Sequence, residues 1–202
     1  MSTLVLAASP ALSPDQQIAA ALSPAPPEVR ETATVLGHSA DGGVKTIRQG
    51  SGDLICLADN PGDDRFHVAC YHKDLEPFMA RGRQLRAQDV SRDEVQRIRE
   101  EEIEAGKLVI PPGPTALYSL SGPADSYDPA TGKVTGANRV FVVYIPYATE
   151  ETTGLSPKPM TDGAPWIMSA GKPWAHIMVV QSAESQPEPR SNAPDSEPNG
   201  LQ

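Results

Sequence analysis

The residues best suited to chemistry in this chain are its two cysteines and two of its four histidines. Cys56 and Cys70 are the only cysteines, His72 would share a strand face with Cys70, and His176 lies in a late apolar segment. Thiolate sulfur and imidazole nitrogen are ligands that suit zinc. The chain has neither a Cys-x-x-Cys nor a His-Glu-x-x-His motif, so a metal site rests on residue types alone.

The spacing of the cysteines favours a disulfide over a metal site. Two short apolar runs, residues 54–58 and 66–72, flank a turn-rich linker. If the runs form an antiparallel hairpin centred near Asp63, Cys56 and Cys70 face each other, because each lies seven positions from that centre. Directly opposed cysteines can form a cross-strand disulfide, which persists in oxidising compartments. We therefore predict this disulfide, with buried free thiols as the alternative.

The histidines also leave a hydrolase or metalloenzyme open as an alternative function. Glu76 lies one helical turn after His72 if a helix begins there, and His176 would complete an acid–base or metal-binding set. Ser119 and Ser121 are candidate nucleophiles, but no Gly-x-Ser-x-Gly motif exposes a serine. Serines in strands and turns are the more ordinary interpretation. We predict no catalytic activity, and no cofactor, because no dinucleotide loop, phosphate-binding loop, haem motif or EF-hand loop is present.

The chain's main local concentration of arginines includes Arg81 and Arg83 on a predicted helix. Guanidinium groups bind carboxylates, phosphates and acidic partners, so these two are candidate ligand-binding residues. The alternative is an ordinary solvated helix face, because the glutamates of residues 100–104 can pair with nearby arginines at helical spacing.

Two Pro-Trp pairs are the best candidate for a recognition surface. They contain Trp166 and Trp174, and Tyr147 is nearby in sequence. Tryptophan and tyrosine combine a large apolar face with one polar group, as binding surfaces often require. The alternative is that both tryptophans only cover one end of a sheet.

Charge and composition limit the partners. The formal net charge is −9, of which −4 belongs to residues 32–180, whereas nucleic-acid-binding domains usually carry a basic excess. No apolar run approaches the roughly 20 residues of a membrane-spanning helix. We predict neither a nucleic-acid partner nor a transmembrane segment, and the expected partner is a protein or small molecule of unknown identity.

The two ends differ from the middle of the chain. Residues 1–31 are rich in Ala, Ser and Pro, which predicts a linker with one short helix at residues 15–22, or the remnant of a bacterial signal peptide without its basic start. Residues 181–202 are polar and Pro-rich, which predicts a disordered acidic tail. With the cysteine pair, these features favour a periplasmic or secreted protein.

Residues 32–180 then form one predicted α+β domain, with a mainly antiparallel sheet and a helical pair packed on one side. Its predicted elements are an antiparallel four-strand meander over 32–72, a helix over 75–88 with Asp74 as N-cap, and a helix from Ser91, which caps it in a capping box with Glu94, to Gly106. Strands at 116–120 and 140–145, joined through a hairpin loop at 126–134, are predicted next, and the segments within 165–180 form either a closing hairpin or two edge segments. The apolar run 140–145 is predicted to be covered on both faces.

Overall fold

The computed structural model describes residues 12–39, 42–61 and 63–185, and these form a single α+β fold around one large sheet. The strands are β1 (Thr34–His38), β2 (Val44–Arg48), β3 (Leu54–Leu57), β4 (Arg65–His72), β5 (Thr115–Pro123), β6 (Tyr127–Asp128), β7 (Lys133–Val134), β8 (Asn138–Tyr144), β9 (Trp166–Met168) and β10 (His176–Gln181). The helices are α1 (Pro14–Leu22), α2 (Glu76–Arg86), α3 (Arg92–Glu104) and α4 (Glu150–Thr153). The predicted α+β class with a mainly antiparallel sheet is confirmed.

The eight strands of the large sheet follow the order β2-β1-β3-β4-β5-β8-β10-β9, and β6 and β7 pair separately. The predicted antiparallel meander over 32–72 is wrong, because β3 runs parallel to β1 and lies between β1 and β4. The chain crosses the start of β1 at Gly50, where a Cβ atom would lie 2.2 Å from the carbonyl oxygen of Thr32. Glycine permits this close approach, which takes the chain to the other side of β1.

The predicted disulfide is confirmed, and it lies on the sheet face covered by α1. Cys56 and Cys70 are directly opposed in the β3–β4 ladder, bonded, and fully buried. Ala21 and Leu22 of α1 pack in the same cluster, together with Val35 of β1. Part of the range 1–31, which its composition assigns to a linker, therefore contributes to the core; residues 1–11 lie outside the described part of the chain.

The pair α2 and α3 lies against the other face of the sheet, near one end of the central strands. Phe78 of α2 contacts Tyr144 edge-on and stacks on Trp174, with ring centroids 6.3 and 6.0 Å apart. Alternation of side chains along the strands puts Tyr144 on the face opposite to Cys70. We call the side of the sheet that carries Cys70 the α1 face and the other side the groove face.

Several local predictions differ from the structure in detail. A 3-10 turn at Lys73–Leu75 precedes α2, so the N-cap position of this helix belongs to Leu75 and not to Asp74. Ser91 caps α3 as predicted, its Oγ accepting from the backbone N–H of Glu94. The segments 166–168 and 176–181 pair as the predicted closing hairpin.

The prediction that the run 140–145 is covered on both faces is wrong. Its strand, β8, lies in the interior of the sheet between β5 and β10. Only Val142 is buried, however, and Val143 on the α1 face is 36% exposed. The sequence resembles a doubly covered strand because its exposed positions are also apolar. Of the predicted tail, the structure describes only residues 181–185.

Candidate functional site

The part of the groove face that α2 and α3 leave uncovered forms an open groove of about 620 Å³. Its floor is supplied by four neighbouring strands, and its rim by the β3–β4 connection and the start of α3. The lining side chains are Asp63, Arg65, His67, Arg92, Leu117, Ser119, Ser121, Val140, Val142, Tyr144, His176 and Met178. Every strand residue in this set points to the groove face by alternation, so the sheet register alone explains the floor.

The middle of the floor is mostly apolar, with the buried Ser119 opposite Val140 as its polar member, and its two ends are polar. Leu117, Val140, Val142 and Met178 form the middle, and only Val142 among them is buried. Aliphatic side chains left accessible on a concave surface are the usual lining of a small-molecule site. The arrangement therefore suits a ligand with an apolar body.

The first polar end is formed by Arg65, His67 and Ser121. Arg65 donates from Nη2 to Oγ of Ser121 at 2.7 Å, and Ser121 lies directly opposite His67 in the β4–β5 ladder. Partial burial, helped by the charge of Arg65, lowers the pKa of His67, so this imidazole is neutral at pH 7. This end offers a guanidinium, a hydroxyl and a neutral imidazole to a ligand.

Asp59 supports this end from the β3–β4 connection. Its Oδ1 accepts from the backbone N–H of His67 at 2.7 Å. Burial raises the pKa of Asp59 to about 6, because the ionised carboxylate is poorly solvated there. The carboxylate is thus held beside the groove at a cost to folding.

The Asp59→Asn variant should be more stable than the wild type at pH 7.5 by about 1 kcal/mol. The full shift corresponds to about 3 kcal/mol, and partial solvent exposure reduces this. The folded state binds a proton more readily than the unfolded chain, so the cost is present above pH 6 and disappears as the pH falls towards 4. Urea unfolding at pH 7.5 and 4.5 measures the difference, and Asn retains an acceptor for His67.

Asp125→Asn is the matched control for this prediction, because Asp125 is exposed and accepts no hydrogen bond among the described residues. Its free energy of unfolding should stay within about 0.5 kcal/mol of the wild-type value. A gain for Asp59→Asn that is equal at both pH values would contradict the burial argument.

The second polar end is formed by Tyr144 and His176, whose rings lie 5.2 Å apart. Nδ1 of His176 is 2.7 Å from the carbonyl oxygen of Trp174. A carbonyl can only accept, so Nδ1 carries the proton and Nε2 is left with a lone pair. Burial lowers the pKa of His176 and keeps the ring neutral. Nε2 is therefore available to accept a hydrogen bond from a ligand.

The structure brings both candidate serines and His176 to one groove but not to one another. His176 is level with Thr115 in the sheet register, four residues along β5 from Ser119 and two strands away. At about 3.3 Å per residue and 4.8 Å per strand, this is a separation on the order of 16 Å. Neither serine is therefore within hydrogen-bonding reach of His176.

His72, Glu76 and His176 do not converge either. His72 alternates onto the α1 face, at the opposite side of the sheet from His176. Its Nδ1 accepts from the backbone N–H of Asp74 at 3.3 Å. Glu76 accepts from the hydroxyl of Tyr71 at 2.6 Å and pairs with Arg83 at 2.6 Å. His72 and Glu76 are thus engaged in local hydrogen bonds, and His176 lies elsewhere, on the groove face, so the three do not form a common site.

Arg81 and Arg83, the arginines suggested as ligand-binding residues, are occupied by carboxylates within the protein. Arg81 is bonded to Glu102 through two of its nitrogens and so joins α2 to α3. Arg83 binds Glu76 and donates to the hydroxyl of Tyr71 at 2.9 Å. The first pair joins the two helices and Arg83 links α2 to β4, so both guanidinium groups have little capacity left for a ligand.

A different set of arginines lies in or near the groove, and none of them has a carboxylate partner among the described residues: Arg65, Arg86, Arg92 and Arg99. Arg65 and Arg92 line the groove, and the charge of Arg86 reaches His67 and lowers the pKa of that imidazole further. Arg99 lies behind Tyr144 with its guanidinium carbon 3.8 Å from the ring centroid of Phe78. Arginines without a carboxylate partner are thus concentrated on one side of an acidic protein.

The aromatic residues suggested for recognition have three different environments. Trp174 is buried against Phe78, which agrees with the packing alternative. Tyr147 is 57% exposed, away from the groove lining. Trp166 is opposite Met178 in the β9–β10 ladder and so lies on the groove face at the sheet edge, outside the groove lining. Its indole N–H is buried and has no partner in the part of the chain that the structure describes.

Sequence reasoning missed the groove arginines because their role depends on how the helices lie on the sheet. The apolar spacing of Val95, Ile98 and Ile103 predicts the inward stripe of α3. In the structure Val95 is buried, while Arg99 occupies the next inward position with 7% exposure. The sequence does contain one sign of this arrangement: Arg92 and Arg99 are seven residues apart, a spacing that places both on one face of a helix.

Within the described ranges, no group of histidine, cysteine and carboxylate side chains is arranged to hold a metal ion. The helices of the same ranges are too short or too polar to cross a bilayer. Comparisons with protein-family models, with curated protein sequences and with solved structures found no match to this chain. Function is therefore inferred from the groove itself.

Proposed function

We propose that this protein is an exported, non-catalytic binding domain, and that its ligand is a small molecule held in the groove. The observation that carries the proposal is the apolar floor of an open groove on a sheet face that two helices cover only in part. Uncovered aliphatic side chains cost free energy in water, and a ligand that removes this area from water recovers it. The strands beneath hold the floor in a fixed shape.

The size of the groove favours a small molecule over a protein partner. Its volume of about 620 Å³ lies within the range of roughly 300–1,000 Å³ that is usual for small-molecule sites. A protein interface normally needs about 800 Å² from each partner and is flatter. The site also depends on rigid strands, which suit a preformed pocket.

Export is supported by the disulfide alone. Cys56 and Cys70 are bonded and fully buried beneath α1. Structural disulfides persist in oxidising compartments and are rare where thiols are kept reduced. The remaining observations are neutral on location.

The groove is tested with N-phenyl-1-naphthylamine, an uncharged probe whose fluorescence rises in apolar surroundings. The wild-type protein should bind it saturably, and Met178→Glu should weaken binding about tenfold or more, because it puts a carboxylate on the apolar floor. Val179→Glu is the matched control, since Val179 is the next residue of β10 and points to the α1 face. It should bind the probe as the wild type does.

A second variant protects the test against misfolding. Val140→Trp fills the groove without adding charge, and Val140 is only half-buried. It should also reduce probe binding, while circular dichroism and the unfolding midpoint stay near the wild-type values. Equal probe binding by Met178→Glu, Val140→Trp and the wild type would overturn the assignment of the site.

A further inference from the structure

We infer that the ligand of the groove is an amphipathic anion, whose acidic group pairs with Arg65 and Arg92 while its apolar body lies on the aliphatic floor. This inference rests on the proposed function and adds the chemical class of the ligand. It is carried by the contrast between two sets of arginines on the same two helices and the adjoining strand.

The first set is neutralised within the protein. Arg81 pairs with Glu102, Arg83 with Glu76, and Arg97 with both Glu94 and Glu101. Carboxylates are abundant in this chain, which contains 26 acidic residues against 17 basic ones. An arginine in such a protein readily finds a partner if its environment allows one.

The second set is left without one, and two of its members, Arg65 and Arg92, line the groove. Arg92 donates no hydrogen bond to any described residue, and among the same residues the guanidinium of Arg65 donates only to the hydroxyl of Ser121. Arg86 is close enough to Arg99 for its charge to lower the pKa of that guanidinium. Like charges repel across this region, and an anion bound in the groove would lower this repulsion. The groove is therefore complementary to negative charge, against the sign of the whole protein.

Asp63 is the one acidic residue in the groove lining, and its orientation is fixed by two local hydrogen bonds. Its Oδ1 accepts from the backbone N–H of Arg65 at 3.1 Å, and its Oδ2 accepts from the side-chain amide of Asn60 at 3.3 Å. It makes no ion pair with the Arg65 guanidinium. Two guanidinium groups against one carboxylate leave the groove lining with a positive excess, and Asp59, which accepts from the backbone N–H of His67, is not part of that lining.

Two probes with the same ring system separate charge from apolar binding. 8-Anilinonaphthalene-1-sulfonate carries a sulfonate that N-phenyl-1-naphthylamine lacks. The wild-type protein should bind the sulfonate at least about tenfold more tightly, because a charge-assisted pair contributes more than a neutral contact. The difference should shrink as sodium chloride rises from 20 to 500 mM, because the rim is exposed to solvent.

The Arg65→Gln and Arg92→Gln variants should each lose about tenfold in affinity for the sulfonate, with little change for the uncharged probe. Arg97→Gln is the matched control: it removes the same charge from α3, at an exposed position paired with glutamates. It should leave both affinities unchanged. Equal loss in all three variants would indicate a long-range charge effect and overturn the inference.

Competition against the bound sulfonate probe then defines the ligand class. Decanoate and decyl phosphate should both displace it, and their ratio tells a carboxylate ligand from a phosphate ligand. Inorganic phosphate and decanol should not displace it at similar concentrations. Displacement by inorganic phosphate alone would show a simple anion site, and uncharged-probe binding without any anion preference would retain the proposed function while rejecting this inference.

Discussion

Removing the disulfide should lower the free energy of unfolding by about 3 kcal/mol, which is the largest loss of stability that we expect from the variants proposed for this chain. The bond joins residues 14 positions apart and restricts the unfolded chain to conformations in which β3 and β4 stay close. In the folded state both sulfurs are fully buried between α1 and the sheet. The Cys56→Ala/Cys70→Ala variant therefore also leaves a small cavity.

Urea unfolding of the wild type with and without a reductant, and of the double alanine variant, measures this effect. The reductant should act slowly on the folded protein, because neither sulfur is accessible to solvent. Once reduced, the wild type should unfold close to the midpoint of the variant. A midpoint unchanged by removal of both sulfurs would contradict a stabilising role for the bond.

The Arg99→Met variant should be more stable than the wild type by about 1–2 kcal/mol. Burial lowers the pKa of Arg99 to about 10, which corresponds to roughly 3 kcal/mol against the charged form. Its Nε is buried without a hydrogen-bond partner within the described chain. The contact of the guanidinium with the ring of Phe78 stabilises the folded state by about 1–2 kcal/mol. Methionine keeps part of this stabilisation, because its thioether can pack on the same ring.

The partners of Arg99 tolerate its removal. The carbonyl of Phe78, which accepts from Arg99 Nη1 at 3.2 Å, lies within α2 and has the helical N–H of Gly82 as a second donor. Gln96 is only half-buried and can turn to water. Replacing a buried charge by a well-packed apolar side chain is often stabilising for these reasons.

Arg92→Met is the control for this prediction, because Arg92 lies two turns earlier on the same face of α3 and is exposed. Its stability should change by less than about 0.5 kcal/mol in thermal or urea unfolding. A loss of stability in Arg99→Met would mean that the guanidinium contributes more through its contacts than burial costs.

Features set by neighbouring residues were predictable from the sequence. The pairing of Cys56 with Cys70 follows from counting positions across a single hairpin, and the start of α3 follows from Ser91 and its spacing to Glu94. In each case the interacting groups are close in the chain, so local geometry determines the contact.

Features set by distant contacts were not predictable in this way. The hairpin over 32–48 can pair with the hairpin over 54–72 through either β1 or β2. The chain crosses β1 at Gly50, and this crossing makes β1 the strand that pairs with β3, in the parallel direction. The groove depends on how far α2 and α3 extend over the sheet. Alternation alone puts Leu117 and Val142 on one face but does not say whether a helix covers them.

All buried residues of the cluster that surrounds the disulfide lie between positions 21 and 70. The groove also needs β5, β8 and β10, the first of which begins at Thr115. The β4–β5 ladder forms only when the ends of a segment of about 40 residues meet, and contacts of high sequence separation form slowly. During synthesis from the N-terminus, we therefore expect the part of the chain that contains the disulfide cluster, residues 21–70, to fold first. The groove strands β5, β8 and β10 would then pair onto the already folded β4. Mutations in the groove should therefore change the rates of late folding steps and leave those of the early steps unchanged.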